Sequence, residues 1–224
     1  MCGRFTLSTR PEILAELFDL AEIPPLAPRY NVAPTQPVPV VLRTERGGPS
    51  TLRLFRWGLI PSGAVDAAVG NRMINARAET VATRPSFRIA FRKRRCLVPA
   101  DGFYEWQKTQ RSKQPFLIRM ADGRPFAFAG LWEHWEPPEG DPAIDSCTIL
   151  TTEPNDLVRS LHDRMPAIVR PKDYGRWLDP GEDRPEALMG ILAPFPQEGM
   201  EAYAVGTQVN NARFDAPSCI EPQS

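Results

Sequence analysis

The chain opens Met1-Cys2-Gly3-Arg4, and its second residue carries the most unusual chemistry. Met1 precedes a small residue, the usual condition for loss of an initiator methionine. Its removal would give Cys2 a free α-amine beside its thiol. An α-amine titrates near ~7.7–8.0, so a useful fraction is unprotonated at neutral pH. Such an amine attacks an aldehyde to give an imine, and the neighbouring thiol can close that imine to a five-membered thiazolidine. A cysteine elsewhere in a chain cannot do this, because its amine is locked in a peptide bond. A cysteine at position 2 can equally be incidental. Gly3 and Arg4 add weight to the chemical reading: glycine lets a ligand approach the backbone, and arginine offers a forked donor for phosphate.

Internal segments hold groups that could serve such a centre. In Asn75-Ala76-Arg77-Ala78-Glu79, Asn75 and Arg77 share a face if the segment is extended. An amide beside a guanidinium suits a sugar and a phosphate; the alternative is a helix cap at Asn75 with an Arg77–Glu79 surface pair. Glu105 lies between aromatics in Gly102-Phe103-Tyr104-Glu105-Trp106. A buried carboxyl is pushed up in pKa and can shuttle protons near neutrality, whereas on a solvated edge it would do nothing. His162, in Leu161-His162-Asp163-Arg164-Met165-Pro166, has the intrinsic pKa for acid–base work, although a lone histidine is more often structural. Arg164 adds a phosphate-type donor, and Thr151 could supply a hydroxyl at a strand end. From Arg72 to Arg95 there are eight basic residues (Arg72, Arg77, Arg84, Arg88, Arg92, Lys93, Arg94 and Arg95) against the single acid Glu79. That is either a phosphate-binding face or a solvated basic helix end.

The elements that must position these groups read as follows. The 224 residues suit one domain, with 42% hydrophobic and 24% charged residues and a formal net charge of zero. No global field draws the chain to DNA or a membrane, so any nucleic-acid affinity must be local. Thr9 to Leu20 has capping-box spacing at Thr9 and Glu12 and reads as a helix. Pro24 to Pro39 reads as a loop. Val38–Arg43, Thr51–Trp57, Cys96–Trp106, Pro115–Met120, Pro125–Trp135, Ala143–Thr152 and Ala202–Val209 read as strands. Asn71 to Ala82 starts extended and ends in a short helix, and Ser86–Phe91, Pro154–Leu161, Lys172–Leu178 and Pro185–Leu192 read as helices. Pro138 to Pro142 is an exposed loop within the domain. Sequential strands separated by turns imply an α+β fold: a β-rich, mainly antiparallel, partly barrel-like core with peripheral short helices. Cys2, Cys96, Cys147 and Cys219 form no CxxC pair, and with His134 and His162 the only histidines, a metal site is not expected. No apolar run reaches membrane-span length and no signal-peptide segment opens the chain, so the expected location is the cytoplasm, or the nucleoid when bound to DNA.

The ordered motifs MCGR (1–4), PRYNVAPTQ (28–36), WGLIP (57–61), NARAET (75–80), CLVPADGFYEW (96–106) and LHDRMP (161–166), with Val209-Asn210-Asn211 and Ala216-Pro217 in the tail, resemble the SRAP (SOS response-associated peptidase) family of abasic site processing proteins over nearly the whole chain. The resemblance implies one SRAP domain over 1–224. It also implies a partner, single-stranded DNA with abasic sites, whose ring-opened sugar aldehyde Cys2 captures as a thiazolidine. That crosslink would shield the strand from cleavage in the DNA damage response. By the same resemblance Asn75 positions the cysteine and sugar, Glu105 assists proton transfer, and His162 assists ring opening and reversal. Arg77 would hold a flanking phosphate, and Gly3, Arg4, Thr151 and Arg164 would line the DNA channel. No cofactor or metal is implied, a monomer is expected, and lyase activity and self-removal of Met1 are further expectations. After WGLIP many members carry a tryptophan-containing segment where this chain has Ser62-Gly63-Ala64-Val65-Asp66, which puts any stacking contact there in doubt. Two other classes fit an N-terminal Met-Cys-Gly: an N-terminal nucleophile amidohydrolase, whose thiol would attack an amide, and a non-catalytic DNA-binding module.

Overall fold

A computed structural model describes residues 2–108, 113–138 and 140–223. In chain order the strands are β1 (Phe5–Leu7), β2 (Arg29–Val32), β3 (Pro37–Leu42), β4 (Thr51–Trp57), β5 (Asn75–Arg77), β6 (Arg95–Ala100), β7 (Gly102–Lys108), β8 (Lys113–Met120), β9 (Phe126–Trp135), β10 (Ile144–Thr152), β11 (Met165–Pro166), β12 (Ile168–Val169) and β13 (Met200–Ala204). Short helices lie between them: α1 (Pro11–Phe18), α2 (Ala78–Val81), α3 (Arg88–Lys93), α4 (Asp156–Arg159), α5 (Tyr174–Leu178) and α6 (Pro185–Met189).

The pairings β4–β3, β3–β6, β6–β9 and β9–β10 are antiparallel, and β10 returns to β4 in parallel at Cys147↔Trp57. The ring closes, so none of its strands leaves an open edge. The second sheet runs β13-β8-β7-β1-β2. Phe5 of β1 meets Trp57 and Phe128 edge-on, with centroids 5.2 and 5.8 Å apart, and Phe103 of β7 meets Phe128 at 6.1 Å. Each such pair adds roughly 0.5–1.5 kcal/mol beyond its buried area. These aromatics join the second sheet to the barrel wall.

The expected fold class holds, and several expected elements are corrected. Cys96–Trp106 is two strands, one in the barrel and one in the second sheet. The break falls at Asp101, whose carboxylate accepts from the Ser8 and Thr9 backbone N–H groups. The dipeptide Asp101-Gly102 marks this junction in the sequence, between two apolar runs. Thr9 is not a helix cap: its hydroxyl donates to Asp101, and α1 starts at Pro11 after Arg10. Arg29–Val32, expected as loop, is an edge strand paired with β1. The strand expected over Ala202–Val209 ends at Ala204, and a 3-10 turn follows at Thr207–Asn210. The helix expected at Pro154–Leu161 is the single turn α4, capped by Asn155. Of the loop Pro138–Pro142, residue 139 lies outside the described residues.

The basic run is also two things. Arg95 is buried, and its guanidinium donates to the carbonyls of Phe91, Arg92, Trp177, Asp179 and Glu182. It ties α3, α5 and the loop after α5 to the barrel. Arg94 is bound through Nε (3.0 Å) and Nη2 (2.6 Å) to Glu133. Both charges are structural, which removes them from the phosphate-binding face. Arg95→Met should leave those carbonyls without their donor and destabilise the fold by about 3 kcal/mol. Urea unfolding measures this, and an unchanged midpoint would show that the guanidinium contributes nothing.

Candidate active site around Cys2

β1 fixes the start of the chain. Phe5 pairs with Phe103 and Thr6 with Gly102, and the Tyr104 N–H donates to the Arg4 carbonyl at 3.0 Å. Extending that antiparallel register brings Gly3 beside Glu105. From the other side, β5 lies parallel to β10, with Asn75 opposite Ile149 and Arg77 opposite Thr151. Asn75 Nδ2 donates to the Cys2 carbonyl at 2.8 Å. Two strands far apart in sequence thus converge on residue 2. Asn75 is not a helix cap, and Glu79 pairs with Arg164, not with Arg77.

Cys2 is fully buried. Burial raises its thiol pKa far above the ordinary value, and the negative charge of Glu105 adds to the effect. The resting group is therefore the neutral thiol, which needs a base before it can act as a nucleophile. Glu105 is the base at hand. It is 2% exposed, and burial pushes its carboxyl up to about 7. It can hold or release a proton near neutrality.

His162 follows α4, its backbone N–H donating to the Val158 carbonyl at 2.8 Å. Burial lowers its pKa, with Asp163 opposing. Nδ1 lies 3.0 Å from the Arg164 N–H and 2.7 Å from an Asp163 carboxylate oxygen; the first contact suits the neutral ring with its proton on Nε2, the second a proton on Nδ1. Glu105 and His162 line one open cleft of about 480 Å³ with Arg4, Trp106, Lys108, Lys113 and Asn210.

Cys2, Asn75 and Glu105 thus gather at one point, with His162 on the wall of the cleft. Arg4 lines the cleft, but Nη1 is committed to Asn31 Oδ1 and the Val209 carbonyl, each at 2.8 Å. Gly3 is half-buried and Arg77 is exposed. Thr151, expected in the channel, is instead fully buried, and its hydroxyl faces the Ala76 carbonyl at 3.5 Å. Arg164 is held bidentately by Glu79 and by the Thr151 carbonyl at 2.7 Å, so it braces α2 against β10. Trp106, Lys108, Lys113 and Asn210 were not singled out from the sequence. One signal was present: Lys108 and Lys113 are directly opposed in the β7–β8 register. Like charges so placed repel each other, and an anion in the cleft would relieve the repulsion.

The raised carboxyl has a consequence for stability. As pH rises above ~4.3, Glu105 ionises in the unfolded chain while the folded chain keeps its proton, so folding stability falls until about 7 and then levels. Glu105→Gln removes this loss and should make the protein more stable than the parent at pH 8 by up to ~3 kcal/mol, with little difference at pH 4. Urea midpoints at the two pH values measure it; a pH-independent difference would mean Glu105 titrates normally.

A profile of the SOS response associated peptidase (SRAP) family matches residues 1–212. The abasic site processing protein YoqW of Bacillus subtilis is 42% identical over 225 residues, 99% of each chain. The abasic site processing protein HMCES of Xenopus tropicalis is 32% identical over a 221-position alignment, gaps included, that covers 86% of this chain and 65% of the frog protein. A crystal structure of a Bacteroides thetaiotaomicron protein superposes over 100% of both chains with a TM-score of 0.85 at 24% identity, a likeness of fold. With the family profile matched over residues 1–212 and a relative 42% identical over 99% of each chain, the chain belongs to the SRAP family.

Proposed function

We propose that this protein captures ring-opened abasic sites in single-stranded DNA as a thiazolidine on Cys2. The observation that carries the proposal is the convergence of Asn75 and the raised Glu105 carboxyl on residue 2. The names of its relatives as abasic site processing proteins support the substrate.

Loss of Met1 frees the Cys2 amine. His162, on the wall of the cleft, assists opening of the sugar to its aldehyde. The amine attacks the aldehyde carbon to give a carbinolamine, and Glu105 donates the proton with which the hydroxyl leaves as water. This leaves an iminium and the Glu105 carboxylate. The carboxylate then accepts the Cys2 thiol proton as the sulfur bonds to the iminium carbon, which gives the neutral thiazolidine and restores the protonated Glu105. Aldehyde and cysteine become thiazolidine and one water, with no oxidant or cofactor required. Asn75 holds the Cys2 carbonyl and so fixes the amine and thiol relative to the incoming carbon. The ring consumes the aldehyde that would otherwise drive β-elimination and strand breakage. An imine left open could lead to that elimination, which is the lyase outcome. Self-removal of Met1 would use the same thiol and carboxyl.

An abasic site offers no base, so phosphate contacts suffice for affinity. Lys108 and Lys113 face each other across the hairpin of the cleft, Arg4 lines it, and exposed Arg77 stands two residues beyond Asn75.

The protein should give a denaturation-resistant adduct with an abasic single strand, and Cys2→Ala should give none. Equal crosslinking by Cys2→Ala, read on a denaturing gel, would overturn the mechanism. Arg77→Ala should weaken binding and flatten the log–log salt slope by about 0.7, the value for one phosphate on a single strand. An unchanged slope removes Arg77 from the phosphate contacts.

A further inference from the structure

The segment from Val209 to Asp215 returns from the far end of the chain to one wall of the cleft, and β2 grips it twice. Asn31 is fully buried, with Nδ2 bonded to the carbonyls of Val209 (3.2 Å), Asn211 (3.1 Å) and Phe214 (2.7 Å). Its Oδ1 takes the Arg4 guanidinium at 2.8 Å. Asp215 Oδ1 accepts from the Tyr30 N–H at 2.6 Å and the Asn31 N–H at 3.1 Å, and Asp215 also pairs with Arg29. The family profile ends at residue 212, so Asp215 lies beyond the matched segment.

The grip delivers Asn210 to the cleft, where its Oδ1 accepts the Trp106 indole N–H at 2.7 Å. An indole nitrogen only donates, so the amide must present its oxygen there. What Asn210 retains for a ligand is the pair of Nδ2 hydrogens. We propose that Asn210 contacts the DNA strand in the cleft by donating to a sugar or phosphate oxygen, and that Asn31 and Asp215 are the positioning residues that hold it in place. At the abasic nucleotide itself, which has no base, a backbone oxygen is the acceptor on offer. This inference rests on the functional reading above.

The test uses a labelled single strand bearing a tetrahydrofuran abasic analogue, which has no aldehyde and so reports binding without capture. Asn210→Asp keeps the acceptor for Trp106, removes the donors and sets a negative charge against the phosphates. Its dissociation constant should rise about tenfold or more at low salt, against about fivefold for Asn210→Ala. Asp215→Ala should weaken binding about threefold without touching DNA, and Asp215→Asn, which keeps the acceptor for the Tyr30 and Asn31 N–H groups, should restore most of it. Parent-like binding by Asn210→Asp overturns the contact. An Asp215→Asn as weak as Asp215→Ala overturns the positioning role. A parent protein that does not bind the strand overturns the functional reading, and this inference with it.

Discussion

Phe5 sits edge-on to both Trp57 and Phe128, and everything proposed for residue 2 depends on that anchorage. Chain termini usually fray, because few contacts offset the entropy of ordering them. In the proposed reaction the terminus is the reagent, so it must be held. A three-residue strand between β7 and β2 gives only a few ladder bonds, too few on their own. The buried phenyl ring adds the packing that keeps β1 in register, and the register in turn sets Gly3 beside Glu105.

Burial then does chemical work at the same point. It keeps the Cys2 thiol neutral and brings the Glu105 carboxyl to about 7. A solvated pair would have a carboxylate too weak as a base to move a thiol proton. In the buried pair the thiol stays protonated while the carboxyl titrates near neutral pH, at a cost in folding stability that builds between ~4.3 and about 7. The cleft side is the opposite regime: exposed Lys108 and Lys113 beside half-buried Arg4, with open access. A dry reaction point opening onto a wet, cationic cleft is the division of labour that the proposed capture requires.

Much of this was legible in the sequence. Barrel strands β3, β4, β9 and β10 follow from β-branched and aromatic alternation bounded by turn residues, and β4 was read with its observed ends. Cys2, Asn75, Glu105 and His162, which the structure places around one site, each sit in a short motif. What escaped was built by long-range partners. β2 is short, polar and flanked by prolines, and it becomes a strand only because β1 and the distant tail pair with it. Arg94 and Arg95 look identical to their exposed neighbours in a charge count, yet Glu133 and a ring of carbonyls take them out of solvent. Thr151 and Arg164 were read by their donor chemistry, whereas their position at the β10–α2 junction turns that chemistry inward. Asn210 stands in the tail segment that carries the resemblance, but its place in the cleft depends on Asn31, nearly the whole chain away.

The central claim is that the amine and the thiol of Cys2 both end bonded to the same sugar carbon. Intact-mass measurement of the adduct with an abasic single strand, before and after borohydride, tests it most directly. The account predicts the mass of the chain lacking Met1 plus the oligonucleotide minus one water, unchanged by borohydride, because a thiazolidine holds no imine to reduce. An adduct that retains Met1, or one that gains two hydrogens on reduction, would contradict it.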